Sequence, residues 1–192
     1  MLPQGLAKFR TSVVRQIADA QAKLTPLSPE VFWHLYEEFL ALEKRVAYDD
    51  DTLQALARAH PVCQRVQAIP GIGPLTATAV LAAVPDATHV KNGRQLAAWL
   101  GLVPREHSTG GKPRLLGMSK RGDVYLRTLL VHGARATLRW VDTKHDVRSR
   151  WLKALIAPRG KNRAAVALAN KNARIIWALL AHNQEYRVKT VV

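Results

Sequence analysis

Residues 101–139 read GLVPREHSTGGKPRLLGMSKRGDVYLRTLLVHGARATLR. In the second half, Leu126, Leu129, Leu130, Gly133, Ala134, Thr137 and Leu138 recur at three- and four-residue spacing, and Val141 continues the series, which predicts a long helix. In the first half, residues 102–107 and 112–116 flank Ser108-Thr109-Gly110-Gly111, the pattern of a short β-hairpin. Between them lies Gly117-Met118-Ser119-Lys120-Arg121-Gly122-Asp123, where a serine between two glycines meets two cations. A helix start carries unpaired N–H groups and a positive dipole end, so an anion is favoured there. On that reading Ser119 is a candidate nucleophile toward a phosphodiester. Lys120, Arg121 and, one turn on, Arg127 would stabilise the developing charge. The competing reading is structural: Ser119 caps the helix and the two cations are solvated, a common use of serine at helix entrances.

Charge decides which partner to expect. The chain has 192 residues and a formal charge of +15. Residues 1–60 carry seven Lys/Arg against eight Asp/Glu, leaving twenty-two against six in 61–192. A near-neutral segment joined to a strongly basic one predicts that the first assembles and the second meets a polyanion. No apolar run approaches the ~20 residues of a membrane span, and no signal or lipidation pattern is present. Cys63 is the single cysteine, which excludes a disulfide within the chain and a Cys/His zinc cluster and fits a reducing cytoplasm. Nucleic acid is the partner class that remains.

The remaining segments read as helices. Leu6, Phe9, Val13, Ile17, Ala20 and Leu24 predict a helix over 5–24, broken by Thr25-Pro26-Leu27-Ser28-Pro29. Phe32, Leu35, Phe39, Leu42, Val46, Leu53 and Leu56 then occupy alternating a and d positions, with Asp49 the polar exception. That stripe predicts either a coiled-coil hairpin that oligomerises or a helical pair folded onto its own subunit. Beyond His60-Pro61, a short helix over 62–68 leads to Ile69-Pro70-Gly71-Ile72-Gly73-Pro74 and an Ala-rich helix over 75–84. This turn resembles the helix-hairpin-helix module, in which Gly71 and Gly73 bring N–H groups to a phosphate while Ile72 plugs the gap between helices. A helix over 93–100, which Asn92 and Gln95 can cap, ends at Gly101. Arg105, Lys112 and Arg114 line the hairpin. The chain closes with a helix over 148–156, a basic turn over 158–161 and an Ala-rich helix capped by Asn162. Trp99, Trp140, Trp151 and Trp177 lie on apolar helical stretches and are expected in the core, with base stacking the alternative.

Taken in order, residues 69–84, Leu96-Ala97-Ala98-Trp99-Leu100-Gly101-Leu102-Val103-Pro104, Ser108 to Lys112, Gly117 to Arg127, and Ala169-Asn170-Lys171 with Ala173-Arg174-Ile175-Ile176-Trp177 resemble one known domain. It is the C-terminal domain of the bacterial insertion-sequence transposases that join an acidic DEDD metal domain to a catalytic serine, some of them guided by a structured RNA. The resemblance covers 61–187, with 1–60 fitting the family's coiled coil more loosely. It implies Ser119 as the nucleophile of a covalent phosphoserine link to DNA, in a site shared between subunits. It also implies Mg2+ in an N-terminal domain for which 1–60 has no room, so the chain itself is expected to hold no cofactor and to be inactive alone.

The expectation is therefore a mainly α protein: a helical hairpin over 1–60 for homo-oligomerisation, a DNA-binding helical domain over 61–187 with one β-hairpin, and a tail over 188–192. Its partners are expected to be DNA, a guide RNA and a second copy, with no membrane, in the cytoplasm. The alternative is a non-catalytic helix-hairpin-helix protein that grips nucleic-acid backbone and uses Ser119 only as a cap.

Overall fold

The computed structural model describes residues 6–21 and 27–187, with side chains described from Lys8 and, past the connection, from Pro29. The predicted positions 5 and 22–24 of the first helix, residues 25–26 of its Pro-rich break over 25–29 and the tail over 188–192 lie outside them, while residues 27–29 of that break already belong to the second helix. The fold is mainly α, with seven helices and one two-stranded sheet among the described residues. It divides into two compact units, Met1–Thr52 and Leu53–Val192.

In the first unit, α1 (Leu6–Gln21) meets the N-terminal part of α2 (Leu27–Ala59). Phe9 packs edge-on against Phe39, with ring centroids 5.6 Å apart, and Arg10 pairs with Glu43. The two contacts sit at comparable distances from the connection, as antiparallel helices require. Val13 and Ile17 are buried, which completes the apolar face of α1. The face of α2 written by Phe32, Leu35, Leu42 and Val46 is uncovered, each of these side chains being more than two-fifths exposed.

The second unit takes in the end of α2, where Ala57 is fully buried in its core. α3 (Pro61–Gln67) and α4 (Pro74–Ala83) pack on each other across the turn at 68–73. A single 3-10 turn, Ala87–His89, leads to α5 (Gly93–Trp99), whose N-cap Asn92 accepts from the Gln95 N–H at 3.0 Å as predicted. β1 (Pro104–Glu106) and β2 (Leu115–Met118) pair antiparallel, Pro104 opposite Met118 and Glu106 opposite Leu115, with an irregularity between. Gly110 and Gly111 both take positive φ, 57° and 72°, the geometry of a tight two-residue hairpin turn.

α6 (Val124–Leu138) and α7 (Val147–Ala181) share the most extensive contact of the fold. Leu126, Leu130, Ala134 and Leu138 of α6 are buried at four-residue intervals, and α7 answers with Ala164, Ala165, Leu168, Ala169, Ala173 and Ile176. Alanine on α7 lets the two axes approach closely while leucine on α6 fills the seam. α7 is two helical runs joined at Gly160, whose φ of 76° and ψ of 163° are not helical, two residues after Pro158. The predicted basic turn falls there. Asn162 takes a 3.5 Å hydrogen bond from Arg135 instead of capping the second run.

Two tryptophans depart from the core expectation. Trp140 is 61% exposed and Trp99 46%, whereas Trp151 and Trp177 are half-buried. Trp99 is the last residue of α5, and Trp140 lies two residues past the end of α6.

Candidate functional site

Ser119 follows directly on β2 and lies before α6, so the helix entrance is not its position. The cap of α6 is Asp123, whose carboxylate accepts the Leu126 N–H at 2.8 Å. That removes the structural reading of Ser119 as a capping residue. It also moves the expected anion site, because a carboxylate already sits on the N–H groups and positive dipole of α6. Whatever Ser119 meets, the helix start does not hold it.

What holds the serine is the segment that leads into β1. The Ser119 N–H donates to the Val103 carbonyl at 2.8 Å and the Lys120 N–H to the Gly101 carbonyl at 3.1 Å. Lys120 is in the left-handed region at φ 57°, a conformation that a non-glycine residue adopts only when its surroundings impose it. Gly101, φ 69°, and Gly122, φ 131°, leave no space for a Cβ, since one would run into the Arg121 backbone and the other into the Trp99 carbonyl. Two backbone segments thus lie against each other with no side chain between them. Ser119 is half-buried, and among the described residues its hydroxyl has no hydrogen-bond partner. Lys120 and Arg121 beside it are exposed.

Arg127 belongs to the scaffold. It is 7% exposed, and its Nη1 donates to the Leu100 carbonyl at 3.1 Å and the Gly122 carbonyl at 3.4 Å. The guanidinium therefore bolts the end of α5 to the serine segment and does not face solvent. Arg105, Lys112 and Arg114 are all exposed on the hairpin. Ser108, by contrast, is occupied: its hydroxyl donates to Glu106 at 2.6 Å and accepts from the Arg114 N–H at 3.2 Å.

The turn at 69–74 separates its residues in the same way. Ile72 is buried, the plug expected of it. Gly71, φ 92°, faces α6, where a Cβ would lie 2.6 Å from both the Gly133 carbonyl oxygen and Thr137 Oγ1. Gly73 is open, with nothing within 4 Å of a Cβ position, and it stands as N-cap of α4 without any side-chain hydrogen bond to the helix start. The turn and the serine segment both hang on α6, about 15 Å apart along its axis from the ~1.5 Å rise per residue between Asp123 and Gly133.

Two asparagines of α7, not singled out as contacts by the sequence, fix both loops. Asn170 donates to the Leu102 carbonyl at 3.3 Å, at the root of the hairpin, and Asn172 to the Pro70 carbonyl at 3.4 Å. Asn172 is fully buried on an otherwise Ala- and Leu-rich face. A buried amide amid alanines was the signal available in the sequence, because such a group needs a partner. Among the described residues, no three His, Cys, Asp or Glu side chains come together where a metal ion could be held, and no helix is long and apolar enough to cross a membrane.

The family model described as "Transposase IS116/IS110/IS902 family" matches residues 63–151. The chain is 51% identical over 186 residues to the transposase for insertion sequence element IS1111A of Coxiella burnetii, covering 97% of this chain and 51% of that protein. It is 52% identical over 184 residues to a probable family 20 transposase of Pseudomonas aeruginosa, covering 96% and 54%, and 32% identical over 180 residues to the transposase for IS1328 of Yersinia enterocolitica, covering 93% and 52%. The chain belongs to this insertion-sequence transposase family. It spans about half the length of the curated relatives it matches.

Proposed function

We propose that the chain is the DNA-binding, serine-carrying module of a transposase, with Ser119 as the nucleophile of strand transfer. The observation that carries this reading is the state of Ser119. Its backbone is fixed through Val103, the next residue is held in a strained conformation, and its hydroxyl is left without a partner among the described residues, next to Lys120 and Arg121. A rigid backbone around a free hydroxyl is what positioned attack requires. In the step assigned to it, the Ser119 oxygen bonds to phosphorus as the bond to the leaving sugar oxygen breaks. The number of phosphate ester bonds is unchanged, which is why no external energy source is needed. The serine proton and the metal chemistry are assigned to the acidic domain that the family resemblance implies, outside the residues present here, and to Mg2+ held there.

Duplex DNA is assigned to the exposed cations Arg105, Lys112, Arg114, Lys120 and Arg121 and to the uncapped start of α4 at Gly73. Arg127, Gly71 and Ile72 serve by positioning these. The stripe of α2 is assigned to pairing with a second copy. The test is a charge reversal on the hairpin: Arg105→Glu with Arg114→Glu should weaken duplex binding at least about tenfold and reduce the salt slope by roughly two units. Unaltered isotherms across a salt series would defeat the reading.

A further inference from the structure

A groove of about 1690 Å³ runs along α7 in the second unit, and Ser119 is not among the residues that line it. Small-molecule sites occupy about 300–1,000 Å³, so its size suits a polymer. Arg94, Arg148, Arg163, Arg174 and Arg187 line it with Lys171, against two carboxylates, Asp146 and Glu185. Asp146 is already committed. It caps α7 by accepting the Ser149 N–H at 2.8 Å, and hydrogen bonding from Ser149 holds its carboxyl below the usual range. Among the described residues, none of the five arginines has a carboxylate within ion-pairing distance. An array of like charges around one groove repels itself until an anion fills it.

Two further observations define the anion. The Arg148 Nη1 lies out of solvent without a hydrogen-bond partner among the described residues, while its other terminal nitrogen donates to the Tyr186 hydroxyl. A buried guanidinium N–H left open is costly unless an oxygen comes to it. The lining also carries aromatic faces. Trp151 has Lys171 Nζ 4.3 Å from its ring centroid, and the Arg148 guanidinium lies 5.5 Å from that of Tyr186. Cations tracking a backbone beside aromatic rings are the means of holding unpaired bases, whereas a duplex keeps its bases stacked inside. The groove ends at Pro70, Leu102 and Pro104, the roots of the turn and the hairpin.

We infer that this groove binds a single-stranded nucleic acid, held by its phosphates at Arg148, Arg163 and Arg174 and by its bases against the aromatic lining. The inference rests on the nucleic-acid reading of the domain but on residues that the reading leaves unused. The groove thereby receives the strand that the duplex-binding hairpin does not. Fluorescence anisotropy of the whole chain with labelled oligothymidylate, oligouridylate and a duplex tests it. Arg163→Glu with Arg174→Glu, both exposed on α7, should weaken single-strand binding at least about tenfold and lower its salt slope by roughly 1.4 units, while duplex binding is kept. The neutral pair Arg163→Gln and Arg174→Gln should give a smaller loss of the same kind. Preference for uridylate or thymidylate identifies the strand as RNA or DNA, and either supports the groove. Single-strand binding that is unchanged in both variants, or lost in step with duplex binding, overturns it. Failure of the hairpin charge reversal to weaken duplex binding would instead count against the proposed function and leave this result standing.

Discussion

Gly71 and Gly133 meet backbone to backbone: a Cβ on Gly133 would fall far inside contact distance of the Gly71 carbonyl oxygen, and one on Gly71 would reach 2.6 Å from the Gly133 carbonyl oxygen. The two glycines let the turn between α3 and α4 rest directly on α6. Gly133→Ala should therefore act on stability, forcing the turn off the helix at a cost of about 1–3 kcal/mol. Urea denaturation of the variant measures it; an unchanged midpoint would mean that the turn is not seated as described.

Gly73 isolates the phosphate question from that packing. Its φ of −94° suits any residue and its surroundings are open, so Gly73→Ala should cost no more than about 1 kcal/mol as a poorer cap. If the N–H groups at the start of α4 approach a DNA phosphate, the added methyl should weaken duplex binding at unchanged melting temperature. Gly71→Ala should lower both. Equal effects of the two substitutions on stability would defeat the distinction.

Arg127→Met should lower stability by about 2–3 kcal/mol, since it leaves the Leu100 and Gly122 carbonyls without their charged donor. It should leave the salt slope of duplex binding unaltered, because a guanidinium turned inward neutralises no phosphate. A slope reduced by about one unit, with stability intact, would place the side chain on DNA.

The stripe on α2 leads to an expectation about assembly. Leu35, Leu42 and Val46 are each more than half exposed on one helical face, while Phe39 is partly covered by Phe9. A second copy would bury the row. Leu35→Lys with Leu42→Lys should shift light-scattering mass toward the monomer at concentrations where the unaltered chain self-associates. A monomeric unaltered chain at high concentration would leave the stripe without this role.

Local chemistry written in residue types was legible in the sequence. Pro70-Gly71-Ile72-Gly73-Pro74 announced a tight turn with a buried isoleucine, and Gly110-Gly111 a hairpin. Asn92 announced its cap. The serine segment stands one step before the helix entrance that its residue types suggest. Asp123, three residues before the buried Leu126, caps α6 with its carboxylate, which closes that helix start to an anion at the serine four positions earlier. Arg127 was read by its charge, although it falls three before Leu130 and seven before Ala134, on the buried stripe itself. The partner of Gly133 could not be read at all. Periodicity says which face of α6 turns inward, but a contact with Gly71 depends on where two distant segments cross. The groove on α7 was hidden for the same reason, since its arginines come from α5, both runs of α7 and the segment after it.

The decisive expectation concerns the serine. A phosphodiester is a poor electrophile, and attack on it calls for an activated oxygen, charge stabilisation and a leaving group in line. On the proposed function, this chain would supply the oxygen at Ser119 and cationic donors at Lys120 and Arg121. Among the described residues no cluster of carboxylates stands by to add a metal. The isolated chain is therefore expected not to cleave DNA when magnesium is added. Combined with a metal domain from a full-length relative and the element's DNA, together with its RNA where the relative uses one, it should yield a covalent protein–DNA adduct detectable by denaturing electrophoresis and mapped by peptide mass spectrometry to Ser119. Ser119→Ala should abolish the adduct and leave duplex binding nearly intact, since the hydroxyl has no hydrogen-bond partner among the described residues. Ser108→Ala should keep the adduct, because that hydroxyl is held between Glu106 and the Arg114 N–H. Lys120→Gly should relax the left-handed backbone without removing the nucleophile, so the adduct should form more slowly but at the same residue. An adduct that persists in Ser119→Ala and maps to Ser108 would require the hairpin to open on DNA, and would move the nucleophile there.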